Sequence, residues 1–521
     1  MTTGRDRLAW LAAAWRAGML APMAPPTLAR VARAMRAYGP LGAATAVGAA
    51  RFGDRTAVID DHGPIGYRDL DRAAKALATA WARRGIGPDA RVAILCRNHR
   101  GLLLALSAAA KLGAGIVLLN TDFAAPQLRR TVEEQGITAL VHDDEFAPLV
   151  EGIDVLRYTA WSDGGPCDLD ELTAGPALTP PPPPRASALV ILSSGTSGRP
   201  KGALRSSAPS EPLALPGGIL TRIPFRRNEA VLVAPPLFHG WGLASATLAL
   251  ALGSTLVLHR RFNAERVVAA LAEHRCTTLI AVPTMVSRIL AVPDLKARDL
   301  SALRIIATGG GPLTAALTRE ATDAFGPVLY NFYGSTEASC ITIATPADLA
   351  AAPGCAGTPP PGTAVRILDE EGRPVPPETI GQVHVDGPTR FDGYTSGEPV
   401  TATLLPIGDL GHLDAAGRLH IDGRADDMIV SGGENVHPAE IEDLLAAHPA
   451  ITEAAVIGVP DDEFGQRLRA YVVASGDLDP DQVKKHVAAN LARYKVPREI
   501  VFLDELPRTP TGKVVKRELP A

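Results

Sequence analysis

Short β-rich runs alternate with alanine-rich helical stretches along most of this chain, and that alternation leaves few folds open. From Thr56 onward the order is Ala57 to Ile59, a helix from Tyr67 to Arg84, Val92 to Leu95, a helix near Leu102 to Leu112, and Ile116 to Leu119. The pattern returns at Ala139 to Val141, Val190 to Leu192, Ala230 to Val233, Leu256 to Leu258, Thr278 to Val282 and Leu303 to Ala307. Parallel sheets covered by helices are expected. The run Pro180 to Pro184 cannot enter a sheet or helix interior and is read as a stiff spacer. After Pro353 the texture changes to short strands and turns, and after Gly423 to a further α+β unit with helices at Pro438 to Ala447 and Asp481 to Ala492 and strands at Ile451 to Val459 and Glu499 to Leu503. At 521 residues the chain exceeds what one core supports. The expected division is a large α/β domain over residues 1–423, with a helical extension at 1–49 and a β subdomain at 354–423, followed by a small α+β domain at 424–521.

Lys and Arg number 52 against 56 Asp and Glu, a net charge of −4, so no general attraction to nucleic acid is expected and any polyanion must be bound locally. The five cysteines are scattered without a CxxC pair, which points away from a disulfide framework or zinc site and toward a reducing, cytoplasmic setting. No secretory leader pattern opens the chain. The uncharged stretch Ala230 to His259 is interrupted by Pro235, Pro236 and Gly240, and reads as a buried strand, a functional turn and a core helix. Before it all, Pro25-Pro26 divides two helices that alternate Arg with apolar residues; docking on the domain and peripheral membrane contact are both open to them, as is a homodimer.

The chemistry concentrates in a few segments. Ser193-Ser194-Gly195-Thr196-Ser197-Gly198-Arg199-Pro200-Lys201-Gly202 follows a strand-like run, and its glycines, hydroxyls and lysine suit a polyphosphate. Its spacing is not GxxxxGK[ST]. Gly309-Gly310-Gly311 would let a flat ring lie against bare backbone. Tyr333-Gly334-Ser335-Thr336-Glu337 adds an aromatic face, hydroxyls and a carboxylate suited to Mg²⁺. Gly408-Asp409-Leu410-Gly411 places an acid in a turn, where it can accept from both ribose hydroxyls.

In this order, together with PLFHGWG from Pro236, GRADDMIVSGGENVHPAEIE from Gly423 and PRTPTGKVVKREL from Pro507, these segments resemble the adenylate-forming superfamily of acyl-CoA synthetases, adenylation domains and luciferase, over roughly Ala50 to Leu519. The wording is most similar to bacterial fatty acyl-CoA synthetases. The resemblance implies ATP, Mg²⁺ and coenzyme A as cofactors, and a mobile C-terminal domain. It implies that Ser193 to Lys201 hold the β- and γ-phosphates, with Thr196 and Glu337 at the metal. Gly309, Gly310, Gly311, Tyr333, Gly334 and Ser335 would enclose the nucleotide base and its surroundings, Thr336 would touch the α-phosphate, and Asp409, assisted by Arg424, would chelate the ribose. Lys513 would neutralise charge during adenylation, Asp426 would be the hinge, and the Gly432-Gly433 loop would meet a pantetheine channel gated by His239. Ile407 stands where the family has threonine, and the approach from Phe391 to Pro406 is shortened.

The segment after the gate, Phe238-His239-Gly240-Trp241-Gly242-Leu243, has no acid to hold an amino-acid ammonium. The expected lining is Trp241, Leu243, Val282, Thr284, Met285 and Ile305, which suits an alkyl or aryl acid. The expected activity is ATP-dependent activation of a medium- or long-chain fatty acid to acyl-AMP and its transfer to coenzyme A. The alternative is an acyl- or aryl-adenylate ligase loading a carrier-protein phosphopantetheine. A non-catalytic nucleotide sensor or lipid-binding relative is disfavoured by the presence of Lys201, Glu337, Asp409 and Lys513.

Overall fold

The computed structural model describes residues 2–194, 200–206, 211–395, 404–424, 428–476, 478–507 and 514–520. Two sheets carry the large α/β part. One has eight strands in the order Ser339–Ala344, Leu329–Ser335, Ile305–Gly309, Thr278–Ala281, Ala230–Val233, Thr255–Leu258, Thr56–Asp60, Gly63–Gly66. The other has seven, in the order Gly393–Tyr394, Pro200–Ser206, Ala188–Ser194, Gly115–Leu118, Arg91–Leu95, Ala139–Asp143, Leu156–Trp161. The interiors of both are parallel, as short runs of Val, Ile, Leu and Ala buried on both faces require. Antiparallel pairs close both edges of the eight-stranded sheet, Ser339–Ala344 against Leu329–Ser335 and Gly63–Gly66 against Thr56–Asp60, and one side of the seven-stranded sheet, where Gly393–Tyr394 pairs with Pro200–Ser206 and Pro200–Ser206 with Ala188–Ser194.

In that last pairing Ser193 stands opposite Lys201 and Ser194 opposite Pro200, and the second strand, Pro200–Ser206, was not anticipated. The 354–423 segment forms a four-stranded antiparallel sheet, Ala364–Leu368, Gly381–Asp386, Leu405–Leu413, Leu419–Arg424. Gly408-Asp409 lies inside a strand there, not in a turn. Register shifts between Leu410 and Gly411 and between Gln382 and His384 bulge the ladder, and Gly408 has φ 79°, so an irregular strand does the aiming that a turn was expected to do.

The C-terminal part has its own core around Ile441, Val456, Val472 and Val487. A three-stranded sheet, Ile451–Asp461, Gly465–Ala474 and Glu499–Phe502, is covered by helices Pro438–Ala446 and Pro480–Asn490. The Gly465–Ala474 strand was not anticipated.

At the other end, Thr3 and Asp6 form a capping box that starts the Gly4–Arg16 helix. A second helix, Pro25–Phe52, breaks at Gly39-Pro40 and runs past the expected end of the extension at residue 49. The first helix docks through Trp10, 1% exposed, whose indole N–H donates to the Pro361 carbonyl at 3.0 Å, while Leu8, Leu11 and Trp15 face outward. No helix among the described residues is long and apolar enough to cross a membrane.

Candidate active site

One continuous cavity of about 2030 Å³ opens where the parallel strands of the eight-stranded sheet end. Val282, Gly310, Gly311, and Phe332 to Glu337 line it, all at or just past the carboxyl ends of those strands. In open α/β sheets this is where ligands sit, because the chain leaves each strand there as an adaptable loop.

Gly310 and Gly311 face the cavity, but Gly309 does not. It ends the buried Ile305–Gly309 strand, where a Cβ would stand 2.7 Å from the Phe332 carbonyl oxygen, so its role is close strand packing. Gly334 is constrained more severely. A Cβ there would lie 1.8 Å from the Ser339 carbonyl, at the register shift that turns Tyr333 to Glu337 toward the cavity. The Ser335 hydroxyl accepts from the Ala338 N–H at 3.0 Å and steadies the same turn.

Asp409 is 8% exposed and sits directly across the ladder from Arg424, which donates to its Oδ1 at 2.6 Å. The Tyr333 hydroxyl donates to its Oδ2. Burial and the Asp409 charge push the Tyr333 phenol well above its ordinary range, so it remains a donor. Glu337 accepts from the Tyr394 hydroxyl at 3.1 Å, and its carbonyl accepts from the Phe391 N–H at 2.8 Å. The Thr336 carbonyl accepts from Arg205, which also donates to the Thr389 carbonyl at 3.1 Å. Tyr394 and Arg205 were not foreseen, since neither belongs to a glycine-rich motif.

The C-terminal part reaches into the same cavity. Gly433 has φ 90°, and a Cβ there would lie 3.0 Å from the Gly310 carbonyl oxygen, so the Gly432-Gly433 loop rests directly on the triple glycine. Next to it, Glu434 Oε1 meets His239 Nε2 at 2.9 Å. Burial works against a charged imidazole, but Glu434 and Asp122 outweigh it and raise His239 above 6.5. Burial likewise opposes the Glu434 charge, yet His239, Lys495 and Asn120 hold that carboxyl below 4.5. An imidazolium–carboxylate tie therefore joins His239 to the loop. Glu434 was missed because its partner lies 195 residues away.

Beyond His239, Trp241 stacks on Phe332 with ring centroids 4.3 Å apart and donates to the Ala281 carbonyl at 3.1 Å. Trp241, Leu243, Val282 and Met285 line the cavity as expected. Thr284 and Ile305 do not. Ile305 lies in the sheet core, fully buried, and in the first turn of the Pro283–Leu290 helix it is Met285 rather than Thr284 that faces the cavity. Gly195, Thr196, Ser197, Gly198, Asp426 and Lys513, and the side chains of Ser193, Ser194 and Lys201, lie outside the described residues.

The site combines a strand-end glycine cradle, a carboxylate fixed by tyrosine and arginine, and an apolar recess, the parts needed to hold a nucleotide beside an acid. The family model for AMP-binding enzymes matches residues 46–395, and that for the AMP-binding enzyme C-terminal domain matches 440–513. The chain belongs to the AMP-binding enzyme family. A feruloyl-CoA synthase of Amycolatopsis is 35% identical over 473 residues, covering 89% of this chain and 95% of its own. A fatty acid–[acyl-carrier-protein] ligase, ScoC of Streptomyces coeruleorubidus, is 32% identical, covering 89% and 92%. Among solved structures, the o-succinylbenzoate CoA synthetase of Bacillus subtilis, as a double mutant bound with the product analogue OSB-NCoA, aligns with a TM-score of 0.81 at 28% identity, covering 91% of this chain and 98% of that one. The same enzyme in complex with its acyl-adenylate intermediate aligns at 0.67, covering 92% and 98%. This AMP-binding enzyme is thus an AMP-forming acid–thiol ligase of the adenylate-forming superfamily.

Proposed function

We propose that the enzyme activates a medium- or long-chain fatty acid as acyl-AMP and passes the acyl group to coenzyme A, releasing pyrophosphate and AMP. The observation that carries the reading is the apolar lining beyond Trp241, where Leu243, Val282 and Met285 face the cavity.

The acid's carboxylate attacks the α-phosphorus of ATP in line, and pyrophosphate departs toward the hairpin of Ser193 to Lys201. Tyr333 and Arg424 fix Asp409 so that its remaining lone pairs face the ribose hydroxyls. Gly310 and Gly311 flank the base, and Thr336 approaches the α-phosphate. Mg²⁺ fits the hard carboxylate oxygens of Glu337 at the cavity wall, where it would stabilise leaving pyrophosphate; Thr196 would complete its setting. Lys513 would neutralise charge at the reacting oxygens.

Thiolysis follows with the Gly432–Glu434 loop against the triple glycine. The better alignment with the product-analogue structure than with the adenylate structure of one relative supports a thiolation arrangement here. A boundary at 423/424, with Asp426 as hinge, accounts for exchange between the two. Outward-facing Leu8, Leu11 and Trp15 support peripheral membrane contact while an apolar acid is loaded.

Pyrophosphate release screened over alkyl acids of graded length and over ferulate and indoleacetate tests the reading. Activation of alkyl acids is expected; activation of the aryl acids alone would overturn it. The similarity to ScoC favours a second reading, in which the acceptor is a carrier protein. Comparing free coenzyme A with a phosphopantetheinylated carrier separates the two.

A further inference from the structure

We infer that the N-terminal helical segment builds the far wall of the acid pocket, and so sets how long a tail the enzyme accepts. The inference rests on the fatty-acid reading above and extends it to residues lying almost entirely ahead of the matched family region, which begins at residue 46.

The cavity continues past Trp241 along the whole of the Gly240–Ala251 helix, where Ala244, Thr247 and Ala251 line it at steps of three and four. These are small side chains. The Thr247 hydroxyl donates to the Leu243 carbonyl at 2.8 Å, which leaves its methyl group to the cavity. Across the space stand Leu41, Ala44 and Val47, which share one face of the helix after the Gly39-Pro40 break.

The other face of that helix is fixed to the core. Gly42 abuts Ala110 and accepts from the buried Lys111 ammonium at 2.9 Å, and Thr45 donates to Asp71 at 2.9 Å. With that face sealed, Leu41, Ala44 and Val47 remain only half-buried because they front open space. Arg51 donates to the carbonyls of Ala251 at 3.2 Å and Gly18 at 3.3 Å, tying both N-terminal helices to the end of the lining helix. These contacts anchor the wall on its far side, so it can discriminate by length.

From Gly240 to Ala251 a helix rises about 16 Å. An extended chain advances about 3.5 Å per three bonds, so that length holds about fourteen bonds. At this end the acidic side chain lining the cavity, Glu211, is held by Arg7, which leaves the wall itself apolar.

The test measures kcat/KM for butyrate, octanoate, dodecanoate and hexadecanoate in the full-length enzyme and in Ala44→Trp. The ratio of dodecanoate to butyrate activity is expected to fall at least tenfold. An unchanged ratio overturns the inference, whereas failure of the unaltered enzyme to activate any alkyl acid overturns the fatty-acid reading instead. A second variant guards against misfolding. All five native cysteines are buried, so Val47→Cys introduces a thiol that opens to the cavity. Its labelling by an alkyl maleimide should be suppressed at least tenfold by dodecanoate with ATP and hardly by butyrate with ATP; equal protection by both contradicts a distal subsite at Val47.

Discussion

At the scale of single residues, the strongest commitments concern Asp409, Gly433 and Lys513. Asp409 is fixed by Arg424 and Tyr333 before any nucleotide arrives, so removing its charge should act on nucleotide affinity. Asp409→Asn is expected to raise KM for ATP about 10- to 100-fold, the scale of one charge-assisted hydrogen bond at about 1.5–3 kcal/mol; steady-state kinetics with varied ATP measure it. Gly433→Ala adds a Cβ at φ 90° beside the Gly310 carbonyl, a conformation that costs about 1–2 kcal/mol without glycine. Acyl-CoA formation from supplied acyl-adenylate should slow about tenfold or more while pyrophosphate release is spared. Lys513→Ala should do the reverse, cutting adenylation by about 10²–10³-fold and leaving thiolysis of supplied adenylate largely intact. Equal loss of both half-reactions would refute that assignment.

At the scale of elements, the tie between the segment ahead of the Gly240–Ala251 helix and the Glu434–Val436 strand is titratable. His239 lies above 6.5, so its charged form is fully present below 6.5 and is lost as pH rises through the raised value. Glu434 lies below 4.5, so its charge persists until pH falls through that lowered value. The tie thus holds between these limits. A fluorescence-transfer pair across the two parts should report separation as pH rises from about 6 to about 9, with the dependence flattened in Glu434→Gln. Such elements differ in how legible they were. The parallel strands announced themselves through unbroken apolar runs, whereas the antiparallel partner Pro200–Ser206 was hidden among glycine, proline and charged residues. The Gly465–Ala474 strand was hidden as well, because Arg467 and Arg469 interrupt it, and only the fold supplies Glu499 on the neighbouring strand to pair with both. Gly408-Asp409 resembled a turn because a positive-φ glycine marks turns and bulges alike. Thr284 was misjudged for a related reason: adjacent residues on a helix point about 100° apart, so one position decides which faces the pocket.

At the scale of the molecule, two strand-end surfaces, a β subdomain and a small α+β part converge on one cavity, and the N-terminal helices close its far end. The two alignments to one relative, 0.81 with the product analogue and 0.67 with the adenylate, support the proposal that the C-terminal part takes two placements. Small-angle scattering should therefore change when ATP and acid are added without coenzyme A. The central claim is that one site makes acyl-AMP first and the thioester second. Its most direct test is acid-dependent exchange of labelled pyrophosphate into ATP in the absence of coenzyme A. The account predicts exchange that requires a fatty acid, followed by stoichiometric acyl-CoA and AMP once coenzyme A is added; formation of ADP and phosphate, or exchange supported by amino acids alone, would contradict it.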